Sequence, residues 1–222
     1  ITAAPNTATA TGIYWEYIEG GGGTGEVVGN QIDMNGSDLD GLYFYMLNYG
    51  ADLLVDSNNV TGFKRTGLFF DDYIEYGATC VITNNNFFGH VGAGADTGVD
   101  ITDYVQYGSH IVISNNDIRD YMNEGVYLDY VYEGATAHID GNTLSARTNA
   151  TSGYGVYIDD VEYGSDAWIR NNEIDVNNGA DDAIYFYHIG FGSNVVVTGN
   201  TCLNYQDAGL FVDDVVEYTS SL

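Results

Sequence analysis

The chain has few basic residues: 5 Lys and Arg stand against 32 Asp and Glu, which gives a formal net charge of −27 over 222 residues. Binding to a nucleic-acid backbone is excluded, because no basic patch can displace the counterions. Anionic lipids and acidic polysaccharides are equally poor partners unless a cation bridges them. The acidity indicates either a solvated surface in an extracellular or high-salt setting, or a surface that binds cations.

Proline occurs once and cysteine twice, and no apolar run approaches the roughly 18 residues that a membrane-spanning helix needs. We therefore expect no membrane insertion. The chain starts at Ile1 without a signal peptide, as in a processed, exported protein or a chain cut at a boundary, and we expect an extracellular or cell-surface location. Glycosylation sequons begin at Asn35, Asn59 and Asn149. A random match also explains each of them.

One segment recurs down the chain: a small residue, an apolar-aromatic-apolar run, a Tyr-Gly turn and a closing Asn-x-apolar. The opening residues are Gly12, Gly41, Gly67, Gly98, Gly125, Gly155, Ala183 and Gly209. The closing residues are Asn30, Asn58, Asn85, Asn116, Asn142, Asn172 and Asn200. A period of 26 to 31 residues with no helical pattern inside it predicts an all-β fold, a β-solenoid of about seven coils. No linker interrupts the repeats, so we expect one solenoid domain over 12–222, preceded by a strand-like segment over 1–11.

A single coil shows the strand pattern on which this prediction rests. After Gly155, residues 156–159 read Val-Tyr-Ile-Asp, the alternation of a half-buried strand. Apolar residues recur one and three positions after every opening residue, so stacked coils would build a continuous core. The coils that open at Gly67 and Gly98 hold one additional residue. Tyr73 and Tyr104 are the candidates, and a β-bulge would absorb the extra residue.

The seven closing asparagines predict a structural ladder. At a corner the backbone leaves the strand pairing, and an inward Asn can bond both the backbone and the Asn of the next coil. Cys80 and Cys202 occupy inward positions about four coils apart, which at roughly 4.8 Å per coil is beyond disulfide reach. We interpret both cysteines as small buried hydrophobic residues.

Two outward columns on the first strand of each coil are candidates for function. The aromatic column fits either sugar rings or a neighbouring subunit, and Asp100 interrupts it. Its members are Tyr14, Tyr43, Phe69, Tyr127, Tyr157, Tyr185 and Phe211. The acidic column is either a solvated face or a Ca²⁺ site, because carboxylates about 5 Å apart repel one another unless a cation or a proton intervenes. Its members are Asp72, Asp103, Asp129 and Asp159.

The Gly-apolar-x-apolar strands and Asn-x-apolar corners resemble the repeats of the pectate lyase and polygalacturonase superfamily. That resemblance covers nearly the whole chain and implies a right-handed parallel β-helix, an architecture shared by enzymes, phage tailspikes and surface proteins. The repetitive, acidic composition rich in Tyr, Gly and Asp also resembles the amyloid-like cell-sheath proteins of methanogenic archaea. This second resemblance implies a structural role.

The catalytic motifs of the superfamily are missing. Its lyases pair Ca²⁺-binding Asp with a basic residue, and its hydrolases place Asp near Gly-His-Gly and Arg-x-Lys motifs. By the coil register, most basic residues here lie in loops or away from the acidic column: Lys64, Arg65, Arg119, Arg147 and Arg170. Acidic pairs recur with the repeat, which favours architecture over a single acid–base site: Asp71-Asp72, Asp159-Asp160, Asp181-Asp182 and Asp213-Asp214. No metal-ligand spacing links His90, His110, His138 and His188.

The sequence therefore predicts an extracellular structural protein, not an enzyme, that self-assembles through its β-solenoid into a filament, sheath or surface layer. Its main partner would be further copies of itself. The alternative is a carbohydrate-active β-helix enzyme, a polysaccharide lyase or glycoside hydrolase, or a glycan-binding module whose partner is a cell-surface glycan. No cofactor is expected to be required, and Ca²⁺ is the candidate ion. A catalytic coil should differ from the other coils in having unique polar residues. We interpret the coil repeat as uniform, without such a coil.

Overall fold

The computed structural model describes residues 1–2, 10–90, 95–148, 150, 153–177, 182–214, 216 and 220–222, with the backbone alone at residues 95 and 96. Most of the N-terminal segment and the sequon residue Asn149 lie outside the described residues. Within them, no helix is long and apolar enough to span a membrane. The described chain winds through β-strands that stack into three faces.

The three faces contain one strand from each coil. The first face consists of β1 (Ile13–Ile18), β4 (Leu42–Leu47), β7 (Thr66–Phe70), β10 (Ala95–Val105), β12 (Asp117–Val131), β15 (Tyr154–Val161), β18 (Ile184–Ile189) and β21 (Leu210–Val212). The second consists of β2 (Thr24–Val28), β5 (Asp52–Asp56), β8 (Thr79–Thr83), β11 (His110–Ser114), β13 (Thr136–Asp140), β16 (Asp166–Arg170) and β19 (Asn194–Thr198). The third consists of β3 (Gln31–Asp33), β6 (Asn59–Phe63), β9 (Asn86–Gly89), the start of β12, β14 (Thr143–Ala146), β17 (Glu173–Asp175) and β20 (Thr201–Leu203).

Every pairing between these strands is parallel, and equivalent residues of successive coils face each other. Seven strands in the second face correspond to seven complete coils, which confirms the predicted solenoid. β12 continues around a corner, so it pairs with β9 and β14 at its start and with β10 and β15 at its end. Stacking like residues on like residues buries each apolar column.

The core is one continuous column of apolar side chains. The positions one and three after the opening residue are fully buried in the inner coils, as Leu68, Phe70, Val126 and Leu128 show. Both cysteines are free, Cys80 buried and Cys202 half-buried in an outer coil. Burial stabilises this elongated domain because each coil covers the apolar face of the next.

The opening glycines face the interior, where no side chain fits. A Cβ on Gly98 would lie 2.2 Å from Ile118 Cγ2 and 2.5 Å from the Gly125 carbonyl oxygen. The same overlap with the carbonyl of the next coil recurs down the column, at 2.4 to 2.7 Å, for Gly12, Gly41, Gly67, Gly125 and Gly155. Because glycine has no Cβ, the backbone of the first face can pack directly against side chains of the third face.

The closing asparagines form an unbroken hydrogen-bonded ladder. At a typical step, the backbone N and Nδ2 of Asn116 both donate to Oδ1 of Asn142, at 2.9 and 3.0 Å, and Nδ2 also donates to the carbonyl of Ile82 at 2.9 Å. The same contacts join all seven residues from Asn30 to Asn200. Each amide thus satisfies backbone groups that the corner would leave unpaired.

One detail of the register differs from the sequence prediction. Tyr73 and Tyr104 stack in register, with ring centroids 5.8 Å apart, and Tyr104 pairs with Tyr130. The irregularity lies between Ile101 and Tyr104, where Asp103 has a φ of 78°. The bulge therefore absorbs a residue before the tyrosine, because keeping Tyr104 in register preserves its ring stacking.

Both ends of the described solenoid carry partial coils. The amino group of Ile1 donates to the carbonyl of Gln31 at 2.7 Å, and Thr2 bridges Asp33 along the edge of β3. At the other end the eighth coil continues beyond the first strand, which is where the sequence pattern stops. Val216 bridges Ile189, and Ser221 bridges Asn194 on the second face.

Candidate functional site

The outward aromatic column of the first face is divided into two blocks. The rings of Tyr14 and Tyr43 stack with centroids 4.7 Å apart, and Phe69 follows at 5.7 Å. Beyond Asp100 the column resumes, with successive centroids 5.4, 4.6 and 5.8 Å apart, through Tyr127, Tyr157, Tyr185 and Phe211. The outermost rings are exposed, whereas the inner rings are half-buried or buried.

Tyrosine hydroxyls connect this column to the acids beside it. Tyr43 donates to Asp71 at 2.5 Å, and Tyr185 donates to Asp213 at 2.9 Å. Burial and the Asp71 hydrogen bond raise the pKa of Tyr43 above its usual range.

Within the acidic column itself, Asp129 accepts a hydrogen bond from Tyr127 at 3.2 Å and Asp159 accepts one from Tyr157 at 3.5 Å. The two columns are therefore joined by hydrogen bonds in these coils, and the surface is less apolar than the sequence pattern suggests.

A second aromatic column, which we call the turn row, lies on the Tyr-Gly turns between the first two faces. Its members are Tyr49, Tyr76, Tyr107, Tyr163 and Phe191, which are 41 to 57 % exposed. Consecutive pairs stack with centroids 4.7 to 5.2 Å apart and rings within 8° of parallel. Glu133 occupies the equivalent turn position in the coil between Tyr107 and Tyr163. The recurring Tyr-Gly pair predicts the turn, but reading it only as a turn overlooks the aligned rings.

The backbone holds the turn row rigidly. Each of its aromatic residues has a φ of 52 to 54°, and the glycine that follows it has a φ of 68 to 80°. Two successive residues in the left-handed region define a tight turn, and a tyrosine there costs roughly 1 kcal/mol. Hydrogen bonds between turns of adjacent coils, such as Gly50 N to the Tyr76 carbonyl at 3.0 Å, fix the spacing of the rings.

The acidic column is assembled as the coil register predicts. Burial raises the pKa of Asp72, and the charge of Asp103 adds to the shift. Burial raises the pKa of Asp129 to about 6, with Asp159 contributing. Within the described residues, none of the four forms an ion pair with Lys or Arg. Crowded carboxylates of this kind suit a cation, and Ca²⁺ at this column stays a prediction.

The gap in the aromatic column is a groove of about 520 Å³ beside Asp100, which we call the Asp100 groove. Phe69, Tyr127 and Tyr157 line it together with the carboxylate of Glu124. The remaining lining residues are Arg65, Thr66, Thr97 and Asn123. Aromatic side chains with a few convergent polar groups are the usual lining of a ligand-binding groove.

Polar contacts organise the Asp100 groove. Arg65 pairs with the buried carboxylate of Asp40, and its guanidinium lies 5.1 Å from the centre of the Phe69 ring. Thr97 donates to Glu124 at 2.8 Å. The coil register predicts that most basic residues lie in loops or away from the acidic column, and Arg65 instead lines the Asp100 groove. The coil pattern is therefore not monotonous here.

Asp100 is an unusual acid. Burial raises its pKa to about 6, Asp40 and Asp129 add to the shift, and Arg65 and a hydrogen bond from Thr102 oppose it. An unfolded Asp has a pKa of about 3.9, so the folded chain binds the proton more tightly. The contribution of Asp100 to the free energy of unfolding is therefore fully present below about pH 4, and it is lost as the pH rises through about 6.

We expect Asp100→Asn to stabilise the chain at pH 8 by about 2 kcal/mol and to change little at pH 4, because the amide cannot ionise. Its oxygen can still accept the Thr102 hydroxyl, which lies 2.9 Å from Oδ1 of Asp100. Urea unfolding at both pH values measures the difference. Asp52→Asn, at an exposed carboxylate of β5, is the matched control. Equal effects of the two substitutions at pH 8 would contradict the assignment.

A second column of the first face changes from aromatic to ionisable residues, two coils after the coil that contains Asp100. The column that contains Tyr104 and Tyr130 continues in register with Asp160 and then His188. Nδ1 of His188 lies 2.7 Å from Oε1 of Glu162 and 3.6 Å from Oδ1 of Asp160. The sequence analysis found no metal-ligand spacing for this histidine, because its neighbours come from the preceding coil and not from its own strand.

Comparison with known proteins gives one match. A family model described as "Right handed beta helix region" matches residues 97–221, which is 125 of the 222 residues. No curated protein and no solved structure matches the chain. The match agrees with the stacked parallel strands, and the same architecture occurs in enzymes and in proteins without catalytic activity.

Proposed function

The chain belongs to the right-handed β-helix family, and from this premise we propose that it is an extracellular structural protein that self-assembles through its solenoid into a filament, sheath or surface layer. The observation that carries the proposal is the turn row. It presents aligned, exposed aromatic rings along the side of the molecule. The rings form two stacked blocks on either side of Glu133, and exposed apolar surface of this kind commonly marks an interaction site.

The turn row suits contact with a second copy for two reasons. Its rings are held by the backbone and by stacking, so little conformational entropy is lost on association. Its spacing repeats with the coil, so two solenoids lying side by side can place many rings in equivalent contacts. Tyrosine also has a hydroxyl that can stay hydrated at the rim of such a contact.

The net charge opposes this association and gives it a salt dependence. Each copy carries a formal charge of −27, so two copies repel one another in dilute buffer. Raising the salt from about 0.1 M to about 1 M shortens the screening length from roughly 10 Å to 3 Å. Assembly should therefore strengthen with ionic strength.

Sedimentation velocity of the 222-residue chain at both salt concentrations tests the proposal. We expect species larger than the 24.1 kDa monomer at high salt, and their loss in the double variant Tyr76→Asn/Tyr107→Asn. Asparagine tolerates a left-handed backbone, so the turns should survive. Tyr205→Asn, at an exposed tyrosine away from the row, is the control. A wild-type chain that stays monomeric at high salt, or a double variant that assembles like the wild type, would reject the proposal.

The Asp100 groove favours a second candidate, a glycan-binding or carbohydrate-active protein. Phe69 and Tyr127 offer faces for sugar rings, and Asp100 and Glu124 offer hydrogen-bond acceptors. Because the pKa of Asp100 is near 6, this carboxyl could also supply a proton as an acid. Calorimetric titration with neutral and uronate oligosaccharides tests this candidate, with Phe69→Ala expected to abolish binding. No heat of binding from the wild type would reject it.

A further inference from the structure

We propose that Asp160, Glu162 and His188 form a binding site for a divalent transition-metal ion of the Zn²⁺ type. The three side chains come from two adjacent coils. Asp160 and His188 pair across the first face, in β15 and β18. Glu162 directly follows β15. The site is separate from the Asp100 groove and from the acidic column that the sequence predicts as a Ca²⁺ site.

The three donor atoms are close enough to share an ion. One oxygen from each carboxylate and one ring nitrogen of His188 all lie within 4.8 Å of one another. Atoms that bind Zn²⁺ at about 2.0–2.2 Å can be at most about 4.4 Å apart. A small rotation of the side chains is therefore sufficient to bring all three into coordination.

Burial makes an uncompensated cluster costly. The side chain of Glu162 is 8 % exposed, and those of His188 and Asp160 are 12 % and 16 % exposed. Neither carboxylate forms an ion pair with Lys or Arg among the described residues. One imidazolium can balance one carboxylate, so a second negative charge is left. A divalent ion balances both carboxylates and takes the imidazole as a neutral ligand.

The chain provides space for this arrangement at Gly190. A Cβ there would lie 2.7 Å from Cε1 of His188 and 3.2 Å from Oε1 of Glu162. Equivalent positions in the preceding coils hold larger residues, Gln106, Tyr132 and Glu162 itself. The glycine therefore lets the imidazole of one coil meet the carboxylate of the previous coil.

Tyr132 supports the two carboxylates from the other side. Its hydroxyl donates to Oδ2 of Asp160 at 3.3 Å, and burial, together with the nearby carboxylate of Glu162, raises the pKa of Tyr132. Hydrogen bonds to ligating carboxylates commonly orient them toward a metal ion. The nitrogen ligand favours Zn²⁺, or Co²⁺ as its spectroscopic substitute, over Ca²⁺, Mg²⁺ and Mn²⁺, which prefer oxygen ligands.

Isothermal titration of the metal-free 222-residue chain with ZnCl₂ tests the proposal. We expect one Zn²⁺ bound at this site per chain, and equimolar Ca²⁺ should not displace it, whatever Ca²⁺ binds at the acidic column. Zn²⁺ binding should be at least about tenfold weaker in His188→Asn and in Glu162→Gln. Glu162→Gln keeps the shape of the side chain, which guards against a variant that fails to fold. His110→Asn, at an exposed histidine of β11, should bind Zn²⁺ like the wild type.

A spectroscopic measurement separates a metal site from a buried ion pair. Co²⁺ in place of Zn²⁺ should give a visible absorption band in the wild type and in His110→Asn that disappears in His188→Asn. If the three residues form only an ion pair, His188→Asn lowers thermal stability but leaves Zn²⁺ binding unchanged. That result, a wild type that binds no Zn²⁺, or displacement of the bound Zn²⁺ by equimolar Ca²⁺ would overturn the proposal.

Discussion

Replacing Gly98 with alanine should lower the free energy of unfolding by about 3 kcal/mol, because the added methyl group has no space. The new Cβ would lie 2.2 Å from Ile118 Cγ2 and 2.5 Å from the carbonyl oxygen of Gly125. That carbonyl belongs to the backbone of the next coil, so relief requires separating two hydrogen-bonded coils. Urea unfolding followed by far-UV circular dichroism measures the loss.

The matched control for this prediction is Gly209→Ala. The nearest atom to a Cβ at Gly209 is 3.5 Å away, so its effect should stay within about 0.5 kcal/mol. Ala183 stands in the same column of opening residues and already carries a methyl group. The coil that follows it, which opens at Gly209, is incomplete. If both alanine variants unfold at the same urea concentration, close packing of the opening glycines does not limit stability.

Replacing Asn116 with leucine should cost about 4 kcal/mol. The substitution removes the acceptor of two hydrogen bonds from Asn85, and it leaves the carbonyl of Ile82 without its donor. Asn116 and Asn85 are 2 % and 0 % exposed, so water cannot replace these bonds, and each buried unpaired group costs roughly 1–3 kcal/mol. The urea midpoint should fall accordingly.

The end of the ladder supplies the control for Asn116→Leu. Asn30, at the first step of the ladder, is half-buried, and its backbone N, which a leucine keeps, still donates to Oδ1 of Asn58. Asn30→Leu removes only the Nδ2 bonds to Asn58 and to the exposed carbonyl of Val28, so it should cost about 1 kcal/mol or less. Equal losses from the two leucine variants would show that the ladder does not stabilise the inner coils through buried hydrogen bonds.

The sequence predicts the fold well because the solenoid repeats its environment. An inward position in one coil is inward in all coils, so Leu68 and Val126 occupy the same column and are both fully buried. The closing Asn-x-apolar recurs for the same reason. The prediction that Tyr73 or Tyr104 is the bulged residue is wrong. The number of residues in a coil reveals an extra residue but not its position, which depends on the ring stacking that keeps Tyr104 in register.

The candidate sites are harder to predict because they depend on contacts between coils. His188 meets Asp160 and Glu162 only through the register of β15 and β18, and a search for ligand spacing along the chain overlooks it. Arg65 reaches the Asp100 groove through its contacts with Asp40 and Phe69. Residues that differ from the other members of their column, such as Asp100, His188 and Gly190, identify these sites when equivalent positions of successive coils are compared.

Lateral assembly of the solenoid through the turn row is visible directly by negative-stain electron microscopy. We would image the chain at about 1 M NaCl, where charge repulsion is screened. We expect ordered filaments or sheets from the wild type and none from Tyr76→Asn/Tyr107→Asn. Dispersed single particles about 34 Å long, the length of seven coils at about 4.8 Å each, in the wild-type sample would contradict lateral assembly.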